Sequence, residues 1–75
     1  MTNLSTLNIG EKARIKSFAS HSKVRNVLLS FGLYNDAVVE VVRKASFSDP
    51  ICLRINNRLI AIRKDQARQI LIQKL

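Results

Sequence analysis

The sequence predicts a mainly β protein, a small barrel of about five short strands with one short α-helix between the first and second barrel strands. Apolar residues alternate with polar or charged ones along several short segments, which is typical of strands with one buried face. The period becomes that of a helix in a single stretch that begins near Ser22. Closing such strands into a barrel leaves no exposed sheet edge, so we expect none here.

The first barrel strand and the helix are predicted from the first half of the chain. Ala13-Arg14-Ile15-Lys16 alternates small or apolar residues with basic ones, as a half-buried strand does. Ser22 can cap a helix, and Gly32 can adopt the left-handed conformation that ends one. The helical stripe occupies positions i, i+3, i+4 and i+7: Val24, Val27, Leu28 and Phe31. Leu4 and Leu7 are expected to pack an N-terminal segment against the barrel.

The second half of the chain reads as a run of strands joined by short turns. Asn56-Asn57 is predicted to form a tight hairpin turn, because asparagine tolerates positive φ. Asp65 is expected to cap a single helical turn that runs through Ala67. The predicted strands and their connecting loop are Ala37 to Lys44, the loop Ala45 to Pro50, Ile51 to Ile55, Leu59 to Arg63 and Ile70 to Ile72.

Length and composition indicate one domain, residues 1–75. No apolar run approaches the roughly 20 residues that span a bilayer, and the N-terminus lacks the pattern of a secretory signal. The single cysteine, Cys52, excludes an internal disulfide and a multi-cysteine zinc site. The sequence therefore predicts a soluble cytoplasmic protein.

The chain is strongly basic, with 13 Lys and Arg residues against 5 acidic ones, a net charge of +8. Such an excess favours an anionic partner, which leaves nucleic acid, an acidic protein face and an anionic membrane surface open. The basic residues are scattered and often alternate with apolar ones. They are therefore equally well explained as the solvated outer face of a barrel.

The order of these parts resembles the ferrous iron transport protein A (FeoA) family. Members combine a leucine-rich helix end, a Gly-Leu pair, a valine strand, a Gly-Asp-Pro-like loop, a hairpin and a final strand. The matching residues are Leu28-Leu29-Ser30-Phe31-Gly32-Leu33, Val39-Val41-Val42, Asp49-Pro50-Ile51, Ile60-Ala61-Ile62-Arg63, Ala67 and Ile70. The resemblance covers nearly the whole chain and implies an SH3-like barrel.

Two turns depart from the family pattern. Tyr34-Asn35-Asp36 replaces a turn that usually ends in glycine, and Ser48 stands where glycine is common. Asn and Asp enter the left-handed region more easily than other residues with side chains, so the first turn is expected to survive. Ser48 is expected to stiffen its loop.

No catalytic or metal-binding constellation is visible. His21 has no second histidine or carboxylate at ligand spacing, so a solvated loop histidine is the favoured interpretation. Cys52 is interpreted as an ordinary strand residue, and Glu40 and Asp49 are too isolated to act as paired carboxylates. We expect a non-enzyme with no catalytic residue, no cofactor and no metal ligand.

Binding is the remaining kind of activity. Tyr34, Arg43, Lys44 and Phe47 lie in or beside loops that flank the valine strand, and aromatic and Arg side chains are enriched in protein interfaces. These four residues are the candidate partner-binding set. The alternative for Phe47, weighted slightly higher, is that its ring folds back and caps one end of the barrel.

The resemblance implies an accessory or regulatory protein of ferrous iron uptake. Its partner would be an FeoB-type membrane transporter, whose cytoplasmic part carries a GTP-binding domain, and an anionic inner membrane surface could contribute. A small nucleic-acid-binding barrel is the alternative, which the charge supports and the few aromatic residues oppose. A third reading is the SH3-like tail of metal-dependent repressors, whose DNA-binding helical domain this sequence lacks.

Overall fold

The computed structural model describes residues 2–18, 23–30 and 36–75; within the helix 23–30 it describes the side chains of Arg25, Asn26, Leu29 and Ser30. The strands are Thr2–Asn3 (β1), Lys12–Phe18 (β2), Val38–Lys44 (β3), Ile51–Ile55 (β4), Arg58–Ile62 (β5) and Ile70–Lys74 (β6). The α-helices are Lys23–Ser30 (α1) and Lys64–Ala67 (α2), and single 3₁₀ turns lie at Leu4–Thr6 and Ser46–Ser48.

All six strands belong to one antiparallel sheet in the order β1-β6-β2-β3-β4-β5. The sheet rolls around its buried face, and the molecule measures 28 × 23 × 22 Å. The predicted mainly β fold with α1 between the first two long strands is therefore confirmed. The sheet has six strands rather than the predicted five or so, because the two-residue β1 is a strand that no alternation in the sequence signals.

The expectation that the barrel leaves no exposed edge is wrong. Among the described residues, β1 pairs only with β6 and β5 pairs only with β4, so each forms one end of the sheet. A strand at the end of a sheet retains backbone N–H and C=O groups that no neighbour satisfies. The edge at β5 is the longer of the two, with five residues against two.

The core is formed by the inward-facing residues of the strands together with residues from the turns. Leu4 and Leu7 are fully buried, which confirms that the N-terminal segment packs against the sheet. Among the described residues, no polar or charged residue is buried. The core residues are Leu4, Leu7, Ala13, Ile15, Ala37, Val39, Val41, Ile51, Leu53, Ile55, Ile62, Ala67, Ile70 and Ile72.

Most of the predicted local features are present. Asn56 and Asn57 have φ of 50° and 65° and close the β4–β5 hairpin as expected. Asp36 has φ of 70°, so an aspartate does take the left-handed conformation at the end of the predicted turn. The helix itself is confirmed at Lys23–Ser30. The side chains of Val24, Val27, Leu28 and Phe31, and the residues Ser22 and Gly32, lie outside what the structure describes.

A tight turn at residues 8–11 leads into β2. Gly10 has φ of +90°, and its N–H donates to the Val41 carbonyl at 2.7 Å. The Asn8 N–H donates to Glu11 Oε1 at 2.7 Å, and Lys74 Nζ lies 3.3 Å from Glu11 Oε2. The hydrogen bond from Asn8, with a contribution from the Lys74 ammonium, lowers the pKa of Glu11. The ionised carboxylate therefore stabilises this turn.

None of the helices in the described residues combines the length and apolar character that crossing a bilayer requires.

Truncating the centre of the core should be much more damaging than truncating an exposed residue of the neighbouring strand. Leu53→Ala removes a fully buried side chain, so we expect a loss of about 2–5 kcal/mol in the free energy of unfolding. Leu59→Ala, its matched control on β5, should change it by less than about 0.5 kcal/mol. Urea unfolding followed by circular dichroism measures both, and equal effects would contradict the assigned strand faces.

The lowered pKa of Glu11 predicts a pH-dependent contribution to stability. Since the folded-state pKa lies below the unfolded one, this contribution is present above the unfolded pKa and disappears as the pH falls through the folded pKa. Glu11→Gln should therefore reduce stability at pH 7, and the two proteins should converge towards pH 3. Urea unfolding at both pH values tests this; an undiminished difference at low pH would exclude the ionised carboxylate as its cause.

Candidate functional site

The loop between β3 and β4, residues 45–50, has the most unusual geometry in the described structure, and we call it the Phe47 loop. Its base is closed by the Ala45 N–H, which donates to the Pro50 carbonyl at 3.0 Å. Within it, the Ser48 N–H donates to the Ala45 carbonyl at 2.9 Å and the Asp49 N–H to the Ser46 carbonyl at 3.2 Å. The Asp49–Pro50 peptide is cis. The loop is thus a compact hydrogen-bonded unit rather than an open connection.

Phe47 stands at the tip of this loop and is 95% exposed. The expectation that its ring folds back to cap the barrel is wrong, because so exposed a side chain is not among the residues that pack against the core. Phe47 has φ of 58° and Ser48 has φ of 61°, a left-handed conformation that residues other than Gly, Asn and Asp adopt rarely. Such a conformation costs of order 1 kcal/mol per residue, and it holds the ring in the solvent. Ser48, where the family favours glycine, therefore does have glycine-like geometry.

Arg43 reaches the outer face of the sheet because of a bulge in β3. Val41 pairs with Leu53 and Arg43 with Cys52, so Val42 is an extra residue on this strand. Without the bulge, simple alternation would place Arg43 on the buried face with Val39 and Val41. The bulge turns the guanidinium outward, next to the base of the Phe47 loop. Lys44 follows, half-buried and paired with Ile51.

Asp49 joins the Phe47 loop to the start of α2. Its Oδ1 accepts from the Lys64 backbone N–H at 3.0 Å, and its Oδ2 lies 3.4 Å from Arg63 Nη2. A carboxylate at this position satisfies a free N–H of the first helical turn and complements the helix dipole. The prediction that Asp65 caps this turn is wrong: Asp49 and Gln66 Oε1, which accepts from the Arg63 N–H at 2.8 Å, do so instead.

Every acidic side chain of the protein forms an ion pair, so the excess positive charge remains at the surface. The pairs are Lys16–Asp36, Arg54–Glu40, Arg63–Asp49, Arg68–Asp65 and Lys74–Glu11, at 3.1–3.4 Å. Among the described residues, Arg43, Lys44 and Arg58 pair with no acidic side chain. At the end of the molecule that carries the Phe47 loop, an exposed aromatic ring therefore lies with two cations outside these ion pairs, Arg43 and Lys44, whereas Arg58 lies at the hairpin end of β5.

The structure brings together three of the four predicted partner-binding residues. Arg43, Lys44 and Phe47 lie at one end of β3, whereas Tyr34 and His21 are outside the described residues. Sequence reasoning missed Asp49, Arg63 and Lys64 as part of this end. In the sequence, only the Asp49-Pro50 pair drew attention to this region. The contact between Asp49 and Lys64 could not be predicted from a local pattern, because the two residues are 15 positions apart.

Cys52 is half-buried on β4, opposite Arg43 on one side and Ala61 on the other. Within the described ranges, no three His, Cys, Asp or Glu residues are grouped closely enough to hold a metal ion. A concavity of about 260 Å³ lies towards the hairpin, and the Arg54–Glu40 ion pair forms part of its lining. It is lined by Lys12, Val38, Val39, Glu40, Arg54, Asn56 and Asn57.

Comparison with known proteins gives one consistent family. The family model described as FeoA domain matches residues 2–74. The solution structure of the FeoA protein from Chlorobium tepidum superposes with a TM-score of 0.90 at 34% identity, covering 99% of this chain and 70% of that one. A search of the curated proteins gave no match.

Two more distant structures share the fold. FeoA of Stenotrophomonas maltophilia, described as a prokaryotic SH3 domain protein and solved with zinc, has a TM-score of 0.84 at 18% identity, covering 97% of this chain and 91% of that one. A manganese-dependent transcriptional repressor has a TM-score of 0.86 at 16% identity, covering 97% of this chain and 41% of that one. At these identities the likeness concerns the SH3-like fold alone.

The left-handed backbone at Phe47 predicts that this position is not optimised for stability. Phe47→Asn should leave the free energy of unfolding unchanged or raise it by up to about 1 kcal/mol, because asparagine suits positive φ and the exposed ring contributes no burial. Phe47→Leu, which also loses the ring but gains no such preference, is the control and should not be stabilised. Thermal and urea unfolding measure both; a clear loss in Phe47→Asn would mean that the ring does pack.

Proposed function

This chain belongs to the FeoA domain family, and we propose that it is a non-enzymatic accessory protein of ferrous iron uptake that docks on the cytoplasmic part of an FeoB-type transporter. FeoA proteins are associated with ferrous iron transport, and the family model covers residues 2–74 of this chain. The proposal places the protein in the cytoplasm, at the inner face of the membrane.

The observation that carries the docking proposal is the Phe47 loop. A fully solvated phenylalanine in an unfavourable backbone conformation gains nothing for the fold, so its value lies in contact with something else. Aromatic and arginine side chains dominate the energetics of protein interfaces when a partner desolvates them. Arg43 and Lys44 beside the loop add a charge that attracts an acidic face and speeds the encounter.

The charge also suits a position near an anionic inner leaflet. Each basic residue close to such a surface contributes about 1 kcal/mol of attraction, and among the described residues Arg43 and Arg58 form no ion pair with an acidic side chain. This attraction would concentrate the protein where a membrane transporter presents its cytoplasmic part.

Nucleic-acid binding is the weaker alternative. Proteins that bind single strands stack several bases on exposed aromatic rings along a basic groove. Of the described aromatic residues, Phe18 packs against the core and only Phe47 is exposed. One ring at the tip of a loop provides no stacking platform, so the basic surface is better explained by a protein partner.

A pull-down from detergent-solubilised membranes of the protein's own host, analysed by mass spectrometry, tests the docking proposal. The tagged wild-type protein should recover an FeoB-type transporter at moderate salt. Phe47→Ser and Tyr34→Ser should each reduce the recovery at least tenfold without unfolding the protein. Val38→Thr, an exposed apolar residue at the opposite end of β3, is the matched control and should leave recovery unchanged.

Two outcomes would contradict the proposal. Recovery of RNA or ribosomal proteins that modest salt releases would favour the nucleic-acid alternative, since phosphate contacts depend steeply on salt. Equal recovery of the transporter by Phe47→Ser and the wild type would mean that docking uses another surface.

A further inference from the structure

The outer edge of β5 is open and has the geometry of a docking strand. Ile55 and Arg58 flank the two-residue turn Asn56-Asn57 and form the first pair of the hairpin. In a hairpin of this kind the flanking pair exchanges hydrogen bonds, and alternate pairs do so thereafter. Backbone hydrogen bonds to β4 are therefore formed by Arg58, Ile60 and Ile62. The N–H and C=O groups of Leu59 and Ala61 point away from the sheet.

These outward groups are not satisfied within the described part of the chain. Neither Leu59 nor Ala61 takes part in a backbone hydrogen bond outside the β4–β5 ladder, and no strand lies beyond β5. Leu59 is 59% exposed and Ala61 is exposed, so no loop covers the strand there. The edge also has no proline, and its pairing with β4 has no bulge, so two of the devices by which proteins protect an edge are missing.

We propose that β5 receives an extended, acidic segment of the docking partner as an additional strand. The inference deepens the proposed function and rests on it, since it assigns the chemistry of the partner segment. Main-chain hydrogen bonds to Leu59 and Ala61 would supply the pairing, and apolar side chains of the segment would cover Leu59 and the half-buried Ile60.

The charges at the two ends of β5 select an acidic segment. Arg58 begins the strand and pairs with no acidic side chain among the described residues. Arg63 follows its end, with a guanidinium whose single carboxylate partner, Asp49, also accepts from the Lys64 N–H. Glutamate or aspartate residues near both ends of an added strand would meet these cations.

A second copy of this chain fits the edge poorly. Two antiparallel β5 strands would bring Arg58 of each protomer towards the Arg63–Lys64 end of the other, and each protomer carries a net charge of +8. Like charges across a strand pair are destabilising. An acidic partner segment is instead attracted by Arg58 and Arg63.

The edge leads directly to the Phe47 loop. Asp49 ties that loop to Arg63 and Lys64, which follow the last residue of β5. A segment that pairs along β5 therefore arrives beside Phe47, and one continuous surface runs from the Asn56-Asn57 hairpin to the Phe47 tip.

Ala61→Pro tests the edge directly. Proline removes the outward N–H of residue 61 and leaves the bonds between β4 and β5 in place, and edge strands tolerate proline where the N–H faces solvent. Titration calorimetry with the purified cytoplasmic part of the host's FeoB-type transporter should show binding at least tenfold weaker than wild type. Ala61→Ser, which keeps the N–H, is the matched control and should bind within about threefold of wild type.

A charge reversal provides a second variant in case Ala61→Pro does not fold. Arg58→Glu should weaken binding at least tenfold, whereas Arg25→Glu, an exposed reversal on α1 with the same change in net charge, should have a clearly smaller effect. In the wild-type complex, amide exchange at Leu59 and Ala61 should slow at least tenfold relative to the free protein.

The outcomes separate this inference from the function on which it rests. If the wild-type protein does not bind the transporter, both fail. If it binds and neither Ala61→Pro nor Arg58→Glu weakens it, the docking stands and the edge proposal is wrong. A dimer of the free protein in sedimentation equilibrium, abolished by Ala61→Pro, would assign the edge to a second copy and overturn the acidic segment.

Discussion

The structure depends on one face of one sheet filling a single core. Side chains alternate along a strand, so each strand must keep its register if Ile15, Val41 and Leu53 are to remain buried. A small domain has little apolar area to spare, and among the described residues no polar or charged residue is buried. Charged side chains therefore have to lie on the outer face, at the ends of strands or in loops. The bulge at Val42 meets this requirement locally, because it turns Arg43 outward while Val41 stays in the core.

Asp49 links the two parts of the candidate binding surface, the Phe47 loop and the end of β5. One carboxylate closes the first turn of α2 and pairs with Arg63, so the Phe47 loop and the end of β5 are held in a fixed relation. Without that link, the exposed ring and the open strand would be separate features at the ends of different elements. With it, an aromatic tip, several cations and a free strand edge lie next to one another, which is the combination that an acidic and partly apolar partner requires.

The local pattern of the sequence was sufficient for the five longer strands, the hairpin and the position of α1, but not for the two-residue β1. Each of these is specified by residues close together in the chain, such as Asn56-Asn57 with its positive φ values. The open edge at β5 was not predictable, because barrel closure depends on how far six strands curve together. The outward direction of Phe47 was not predicted either. It follows from the left-handed φ values of Phe47 and Ser48, a conformation that such residues adopt rarely. The role of Asp49 depends on a tertiary contact, and no periodicity signals such a contact.

The most direct test of this account is amide chemical-shift mapping of the isotope-labelled protein titrated with the cytoplasmic part of the host's FeoB-type transporter. We expect the largest changes on residues 45–50 and 58–64, which form the Phe47 loop, β5 and the start of α2. The amides of β1 and β6, at the other end of the sheet order, should change little. Changes concentrated on β1, β6 or α1, with the Phe47 loop and β5 unaffected, would contradict the proposed surface.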